Sequence, residues 1–184
     1  RTLCDHTIVA GFGTKNTRAV KELIDLGQAP EDIVVIDTSD DRLEKAKSLG
    51  CTVLKADATR DETLRAVHVD PAKLMIISAG RDDTSILICL TARHHAPDLR
   101  ISVAVNAEDN EIPAKRAGAD VVVNPLDFAG LLLATTHGGQ HTADYLADPA
   151  SREARVQLIE RDVKPDEVGK ALKDITDGLG HRII

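Results

Sequence analysis

The chain has 184 residues, of which 42% are hydrophobic and 29% are charged, and its formal net charge is −7. Such a composition is typical of a soluble globular protein with one well-packed domain and a small appendage, and no apolar run approaches the roughly 18 residues that a membrane span requires. The acidic balance and the lack of a basic stripe interleaved with aromatic residues argue against a nucleic-acid partner.

Six short apolar runs, rich in Val and Ile, alternate with amphipathic segments through the first two thirds of the chain. Near-continuous hydrophobicity of this kind is typical of buried parallel strands. We predict strands at residues 6–12, 32–37, 51–57, 73–79, 100–106 and 121–125. Strands that alternate with helices and join through right-handed crossovers favour an α/β fold, a Rossmann-like doubly wound parallel sheet of six strands in the order 3-2-1-4-5-6.

The helices between these strands are marked by apolar periodicity and by their end residues. Thr59-Arg60-Asp61-Glu62 has the spacing of a capping box and is predicted to open one helix. Pro113 is tolerated in another helix only if it falls in the first turn. The other predicted helices are 14–26, 40–49, 82–95 and 109–117, and the first, second and last of these end at Gly27, Gly50 and Gly118.

The predicted helix 82–95 carries five consecutive apolar residues, Ile86 to Leu90. A helix that is hydrophobic on several sides needs cover from more than its own sheet. We therefore expect this helix, together with 109–117, to pair two copies of the chain, with Ile88 in the contact.

The stretch Gly11-Phe12-Gly13 lies at the end of the first predicted strand, but the third glycine of a G-x-G-x-x-G pattern is replaced by Asn16. Gly11 permits a tight turn, Gly13 lets a pyrophosphate approach the backbone, and the amides from Thr14 to Asn16 face the anion. Asn16 either holds the helix slightly away from the strand or bonds the ligand itself. A lone G-x-G is weak evidence, because glycine at a tight turn can also be purely structural.

Three further segments end on the same edge of the predicted sheet. Asp37 stands about where an acid accepts the ribose hydroxyls, and its carboxylate disfavours a 2′-phosphate. Asp57-Ala58-Thr59 follows the third strand, and Arg81 follows the fourth, where it can meet a phosphate. We predict a nucleotide site formed by Gly11, Phe12, Gly13, Thr14, Lys15, Asn16, Asp37, Thr38, Asp57, Ala58, Thr59, Ala79, Gly80 and Arg81.

Cysteine and histidine spacing gives no sign of a disulfide framework or a metal centre. The three cysteines, Cys4, Cys51 and Cys89, lie far apart, as expected of reduced thiols. His137 and His141 have helical i, i+4 spacing but lack an accompanying Glu or Cys motif. We therefore predict no metal site.

After the sixth predicted strand the alternation stops, so residues 1–125 are expected to form the nucleotide-binding lobe. Residues 126–150 are predicted to be a helix and a linker, with a bend at Gly138-Gly139. Residues 151–184 are predicted to begin a small C-terminal lobe. A single strand and helix there cannot bury a core, so we expect that lobe to continue in a longer protein.

Several stretches of this sequence share a pattern with one family: GFGTKN, IDTS, KADAT, ISAGRDDTSILICLTAR, AGADVVVNP, and DEVGKALKDI followed by LGHRII. Together they resemble the RCK domain, the regulator of potassium conductance, which is also called the Trk N-terminal domain. The resemblance covers nearly the whole chain. It departs from the family pattern at Asn16, and at Val105, where many relatives carry an Arg that reaches ligand phosphates.

The resemblance implies a ligand-sensing domain at the cytoplasmic face of the cell membrane, which controls a potassium channel or a free-standing Trk-type uptake system. It also implies pairing through helices 82–95 and 109–117, an octameric ring beneath a pore domain, and a crossover helix within 126–150. The implied ligand is NAD(H) or an adenine nucleotide such as ADP, ATP or AMP. Calcium gates some relatives, but no EF-hand spacing supports it here.

An NAD-dependent oxidoreductase is the competing interpretation, because the same fold would serve it. Its chemistry needs a donor or base beside the nicotinamide, commonly from a second domain or a Tyr-x-x-x-Lys pair. The single tyrosine, Tyr145, is followed four residues later by Pro149, and no Ser-His-Asp or Cys-His arrangement stands out. We expect no catalytic residues and no enzymatic activity.

Overall fold

Strands and helices alternate in the computed structural model, which describes residues 4–135 and residue 169. Short 3₁₀ turns at Pro30–Asp32 and Glu108–Asn110 precede β2 and α5. The main elements are β1 (Thr7–Ala10), α1 (Thr14–Asp25), β2 (Ile33–Asp37), α2 (Asp40–Ser48), β3 (Thr52–Lys55), α3 (Asp61–Ala66), β4 (Leu74–Ile77), α4 (Asp82–His95), β5 (Arg100–Ala104), α5 (Glu111–Arg116), β6 (Val121–Val123) and α6 (Pro125–Thr135).

The six strands form one sheet in the order β3-β2-β1-β4-β5-β6, and each neighbouring pair is parallel. The predicted fold class and strand order are confirmed. Each strand lies within its predicted range but is shorter, because the predicted ranges included the residues where the chain turns out of the sheet. The order reverses between β1 and β4, so this pair is the switch point beside which ligands bind in folds of this kind.

Two apolar clusters form the core of the described part of the chain. Successive strand residues face opposite sides of a sheet, so Ile8 and Ala10 join the cluster that contains buried residues of α3, α4 and α5. Val9 joins the cluster built with α1 and α2. Cys89 lies in the first cluster, where burial raises the pKa of its thiol to about 11. That thiol therefore stays protonated and packs as a small apolar side chain.

The predicted capping box at Thr59 is wrong. Helix α3 begins at Asp61, its N-cap residue is Arg60, and no side chain caps it. The reason is a competing local bond: the amide and the hydroxyl of Thr59 both donate to Oδ1 of Asp57, at 2.9 and 2.7 Å. Thr59 thus completes a turn around an aspartate instead of capping the helix. The condition on Pro113 is met, because α5 begins at Glu111 rather than at 109 and Pro113 therefore falls in its first turn.

The apolar run on α4 divides between the core and the surface. Ile88 and Cys89 are buried, whereas Leu87 is 48% exposed and Leu90 is 54% exposed. The expectation that Ile88 faces a second copy of the chain is therefore wrong, because Ile88 packs in the core beneath the helix. The exposed apolar face of α4 consists of Leu87 and Leu90.

Helix α6 begins where the predicted helix after the sixth strand was expected. The rest of that segment, including Gly138-Gly139 and the linker, lies outside the described residues, and so do the predicted strand and helix of 151–184 apart from residue 169. The same is true of His137 and His141. Among residues 4–135, no helix combines the length and the apolar character needed to cross a membrane.

Arg93, in the last turn of α4, ties that helix to the turn before β6. Its Nε and one terminal nitrogen donate to the carbonyl oxygen of Gly118, at 3.0 and 2.7 Å, and the same nitrogen donates to Asp120 at 2.8 Å. Gly118 has a φ of +102°, and a Cβ atom there would lie 2.7 Å from Cγ of Arg93. Glycine is thus required at this position for two reasons, the backbone conformation and the close packing against Arg93.

We predict that Gly118→Ala destabilises the protein more than Gly27→Ala, and the difference isolates the contact with Arg93. Gly27 has a similar φ of +99°, but a Cβ atom there would meet nothing within 4 Å. Gly27→Ala should therefore cost only the backbone strain, about 1–2 kcal/mol. Gly118→Ala should cost about 1–3 kcal/mol more, as overpacking does. Urea unfolding measures both, and equal losses would contradict the packing argument.

Candidate functional site

The predicted site segments meet at one edge of the molecule, because the carboxyl ends of parallel strands lie on the same side of a sheet. Residues 11–16 follow β1, residues 37–38 end β2, residues 57–59 follow β3, and residues 79–81 follow β4. Residues 11–16 and 79–81 flank the switch point between β1 and β4. The fold therefore brings all four segments to the edge where a nucleotide would bind.

Gly11 is required by the protein itself. Its φ is +80°, and a Cβ atom there would overlap the carbonyl oxygen of Ser78 at the end of β4. Its amide donates to the carbonyl oxygen of Ile36 at 2.8 Å. Only glycine combines this conformation with so close an approach to β4.

Gly13 is different, because neither its backbone nor its neighbours demand a glycine. It is the N-cap residue of α1 with φ −78° and ψ −172°, an extended conformation that any residue adopts. A Cβ atom there would meet nothing within 4 Å. No side chain caps α1, and its first turn holds no acidic residue, so no carboxylate in that turn offsets the positive end of the helix dipole.

Asn16 has a role that neither sequence hypothesis included. Its side chain is buried, 3% exposed, and its Nδ2 donates to the carbonyl oxygens of Ala10, at 3.1 Å, and Gly11, at 2.6 Å. The amide thus fastens the first turn of α1 to the end of β1. These contacts do not test whether Asn16 also bonds a ligand, so that contact stays a prediction.

Asp37 is buried and holds the glycine loop from the side of β2. One carboxylate oxygen accepts the amide of Phe12 at 2.6 Å, and the other accepts the amide of Ser39 at 2.9 Å. Arg42 lies 3.5 Å from the same carboxylate. The side chain of Phe12 is buried in the core between α1 and α2. Because each carboxylate oxygen has further acceptor capacity, the predicted ribose contact of Asp37 stays a prediction.

The segment after β3 presents a carboxylate whose charge is already stabilised by the chain. Hydrogen bonds from the backbone and the hydroxyl of Thr59 lower the pKa of the Asp57 carboxyl. Ala58 is buried in the core, so its side chain faces away from the edge. Thr38, at the end of β2, is exposed.

The segment after β4 ends in an exposed ion pair. Gly80 has a φ of +88°, and the guanidinium of Arg81 donates to both carboxylate oxygens of Asp83, at 3.0 and 2.6 Å. Arg81 lowers the pKa of Asp83 to about 2, so the pair is intact near neutral pH. The Arg81 side chain is 78% exposed, and such pairs contribute little stability. A ligand phosphate can therefore draw Arg81 away at small cost.

Two polar residues of this edge were missing from the predicted site, Asp82 and Asn106. The Asp82 carboxylate accepts hydrogen bonds from the backbone of Asn106 and Ala107 and from the side chains of Asn106 and Asn110, all between 2.8 and 3.0 Å. Although partial burial alone would raise it, these bonds hold the pKa of Asp82 below its usual value. Oδ1 of Asn106 in turn accepts a hydrogen bond from Nζ of Lys15 at 2.9 Å.

A signal for these two residues did exist in the sequence. Asp82 opens the helix after β4 and Asn106 follows β5, so strand order alone brings both to the edge of the site.

The described part of the chain contains no group of three or more His, Cys, Asp or Glu side chains placed to hold a metal ion.

Comparison with known families matches residues 7–125 to the TrkA-N domain. Two relatives are archaeal proteins of Methanocaldococcus jannaschii. The probable potassium channel protein 2 is 27% identical over 80% of this chain and 43% of its own length. Potassium channel protein 1 is 26% identical over 95% of this chain and 52% of its own length. The chain thus spans about half of each relative.

Solved structures share the fold. The TrkA-N domain of the Escherichia coli inner membrane protein ybaL has a TM-score of 0.65 at 24% identity, over 73% of this chain and 98% of its own. The Shewanella denitrificans Kef CTD in its AMP-bound form has a TM-score of 0.63 at 21% identity, over 80% of this chain and 90% of its own. The GsuK channel bound to NAD has a TM-score of 0.59 at 22% identity, over 67% of this chain and 22% of its own.

We predict that Asn16 stabilises the glycine loop through its donor nitrogen. Asn16→Ala should lower the free energy of unfolding by about 1–3 kcal/mol, since it leaves buried carbonyl groups without that donor. Asn16→Asp should lower it further, because a carboxylate would face two carbonyl oxygens. If the side chain at position 16 did not face those carbonyl oxygens, the negative charge of Asp in the first turn would instead stabilise α1 by about 0.3–1 kcal/mol. Chemical unfolding at pH 7 measures the free energy of unfolding of both variants, and the variant with the lower value decides between these two outcomes.

Proposed function

The chain belongs to the TrkA-N domain family, and on that premise we propose that it is the ligand-sensing domain that regulates a potassium channel or a potassium transport system. Two relatives are named as potassium channels, which supports this function. We further propose that the domain acts at the cytoplasmic face of the membrane, and that its role is regulatory rather than catalytic.

The proposed ligand is an adenine nucleotide, NAD(H) or one of AMP, ADP and ATP. The observation that carries this proposal is Gly13, where neither the backbone conformation nor any atom within 4 Å of a Cβ position requires glycine. The uncapped N-terminus of α1 lies at the same residue, and backbone amides at such a position bind phosphate groups well. The AMP-bound and NAD-bound structures with the same fold support the ligand class.

In this proposal the ligand phosphates lie over Gly13 and the first turn of α1, with Lys15 beside them. The ribose lies toward Asp37 and Thr38 at the end of β2, where the carboxylate would repel a 2′-phosphate. Residues 57–59 and 79–81 border the ligand on either side. Arg81 leaves its exposed pair with Asp83 to reach a phosphate.

Regulation requires only that the ligand bind two conformations of the assembly with different affinity. We propose that copies of the domain pair through α4 and α5, where Leu87, Leu90 and Ile112 are exposed. A ring of such pairs beneath a pore domain would carry the change to the membrane. Leu87 and Leu90 lie in the second and third turns of α4, beyond Asp82 at the nucleotide edge, so we expect that substitutions there alter pairing without changing a proposed ligand contact.

We predict that Gly13→Asp raises the stability of the domain and abolishes its nucleotide binding. Asp is a better N-cap than glycine and complements the helix dipole, which should raise the free energy of unfolding by about 0.3–1 kcal/mol. The same side chain would occupy the phosphate position and repel the phosphates. Calorimetry with NAD, ADP and AMP, alongside urea unfolding, should show the two opposite effects.

Gly13→Ser is the matched control, because it also caps the helix but carries no charge. It should weaken nucleotide binding less than Gly13→Asp does. If both variants bind all three ligands as tightly as the wild type, the turn is structural and the sensed ligand binds elsewhere.

We predict that Leu90→Lys weakens self-association of the domain, because it places a charge on the exposed apolar face of α4. Leu26→Lys is the control, since Leu26 is 68% exposed at the end of α1, away from α4 and α5. Sedimentation velocity over a range of concentrations should show a dimer for the wild type and for Leu26→Lys, and a larger monomer fraction for Leu90→Lys. A wild-type monomer at high concentration would refute pairing through this face.

A further inference from the structure

Lys15 and Asn106 connect the glycine loop to the segment that follows β5. Nζ of Lys15 donates to Oδ1 of Asn106 at 2.9 Å, across 91 residues of chain. Lys15 is the second residue of α1 and lies two residues after Gly13. The ammonium best placed to meet a phosphate above Gly13 is therefore the one that Asn106 holds.

The orientation of the Asn106 side chain follows from chemistry. Nδ2 of Asn106 lies 2.8 Å from the Asp82 carboxylate, and a carboxylate only accepts hydrogen bonds. The amide nitrogen must therefore face Asp82, which aims the oxygen at Lys15. The backbone amides of Asn106 and Ala107 also donate to Asp82, so the whole segment is held in place. Asn106 is thus a fixed acceptor for Lys15.

The hydrogen-bond partner of Lys15 in this arrangement is a neutral amide oxygen, not a carboxylate. The other basic side chains of this edge contact carboxylates: Arg81 pairs with Asp83, Arg42 with Asp37, and Arg60 with Asp57. A phosphate that engages Lys15 need not displace a negative charge. A phosphate that draws the ammonium toward Gly13 breaks its bond to one amide oxygen rather than to a carboxylate.

We propose that Asn106 is a positioning residue that sets the affinity of the glycine loop for phosphate, by competing with the ligand for Lys15. The proposal rests on the proposed nucleotide function and adds to it a determinant of affinity outside the loop. Its distinctive consequence is that removing Asn106 tightens the binding of phosphate-bearing ligands. A change that merely damaged the site would weaken binding.

The test is a double-mutant cycle on the full chain, with ADP binding measured by calorimetry at fixed ionic strength. Asn106→Ala should tighten ADP binding about three- to tenfold. This gain corresponds to the free energy of one hydrogen bond to a charged group, reduced by the hydration of the freed ammonium. Lys15→Met should weaken ADP binding. In the Lys15→Met background, Asn106→Ala should change ADP binding by less than about twofold, because there is no ammonium to release.

Two controls separate competition for Lys15 from disturbance of Asp82. Asn110→Ala removes another donor to Asp82, 2.9 Å away, but Asn110 has no contact with Lys15 among those described, so ADP affinity should stay at the wild-type value. Lys21→Met removes an exposed charge further along α1 and should have little effect. Asn106→Ser, whose hydroxyl is too short to reach Lys15, should reproduce the gain of Asn106→Ala.

The outcomes distinguish this inference from the proposed function. If Lys15→Met weakens ADP binding while Asn106→Ala and Asn106→Ser leave it unchanged or weaker, the inference is wrong and the nucleotide function stands. If Asn110→Ala produces the same gain as Asn106→Ala, the effect comes from Asp82 and the inference is also wrong. If the wild type binds none of ADP, AMP and NAD, the proposed function fails and this inference fails with it.

Discussion

The close approach of Gly11 to the end of β4 is the constraint on which the candidate site depends. Because no Cβ atom separates Gly11 from the carbonyl oxygen of Ser78, the chain can leave β1 sharply and start α1 over the switch point of the sheet. Asn16 then bonds the carbonyl oxygens of Ala10 and Gly11, and Asp37 bonds the amide of Phe12. The loop is thus fastened on both flanks, while a Cβ atom at Gly13 would meet nothing within 4 Å, which is the arrangement that the proposed anion site requires.

Sequence patterns were sufficient for the fold because each strand and helix carries its own local signal. Val- and Ile-rich runs and glycines after helices locate the elements, and the right-handed crossover rule leaves few topologies, of which the simplest is the one observed. The two errors arose for different reasons, a competing hydrogen-bond partner at Thr59 and an unresolved helix face at Ile88. Thr59 had the spacing of a capping residue, but Asp57 lies closer and takes both of its donors. In the run Ile86 to Leu90, sequence alone does not say which residues face the sheet, and Ile88 does.

The candidate site was predictable in outline but not in its contacts. The segments at the ends of β1 to β4 follow from strand order alone, and so does their meeting at one edge. The roles of Asn16 and Asn106 do not, because the partners of Asn16 are backbone carbonyl oxygens and the partners of Asn106 lie 24 and 91 residues away along the chain. An asparagine in place of a glycine looks like a loss of close packing, yet here it supplies the bonds that keep the helix against the strand.

The charges at this edge explain how an acidic protein can offer a site for an anion. The carboxylates of Asp37, Asp57 and Asp82 each accept backbone amides, so the chain's own dipoles compensate much of their charge. Arg81 shares its charge with Asp83. Lys15, two residues after Gly13, donates instead to a neutral amide. In the proposed site, phosphate recognition therefore depends on Lys15 and the helix dipole rather than on the net charge of the chain, and on how firmly Asn106 holds that one ammonium group.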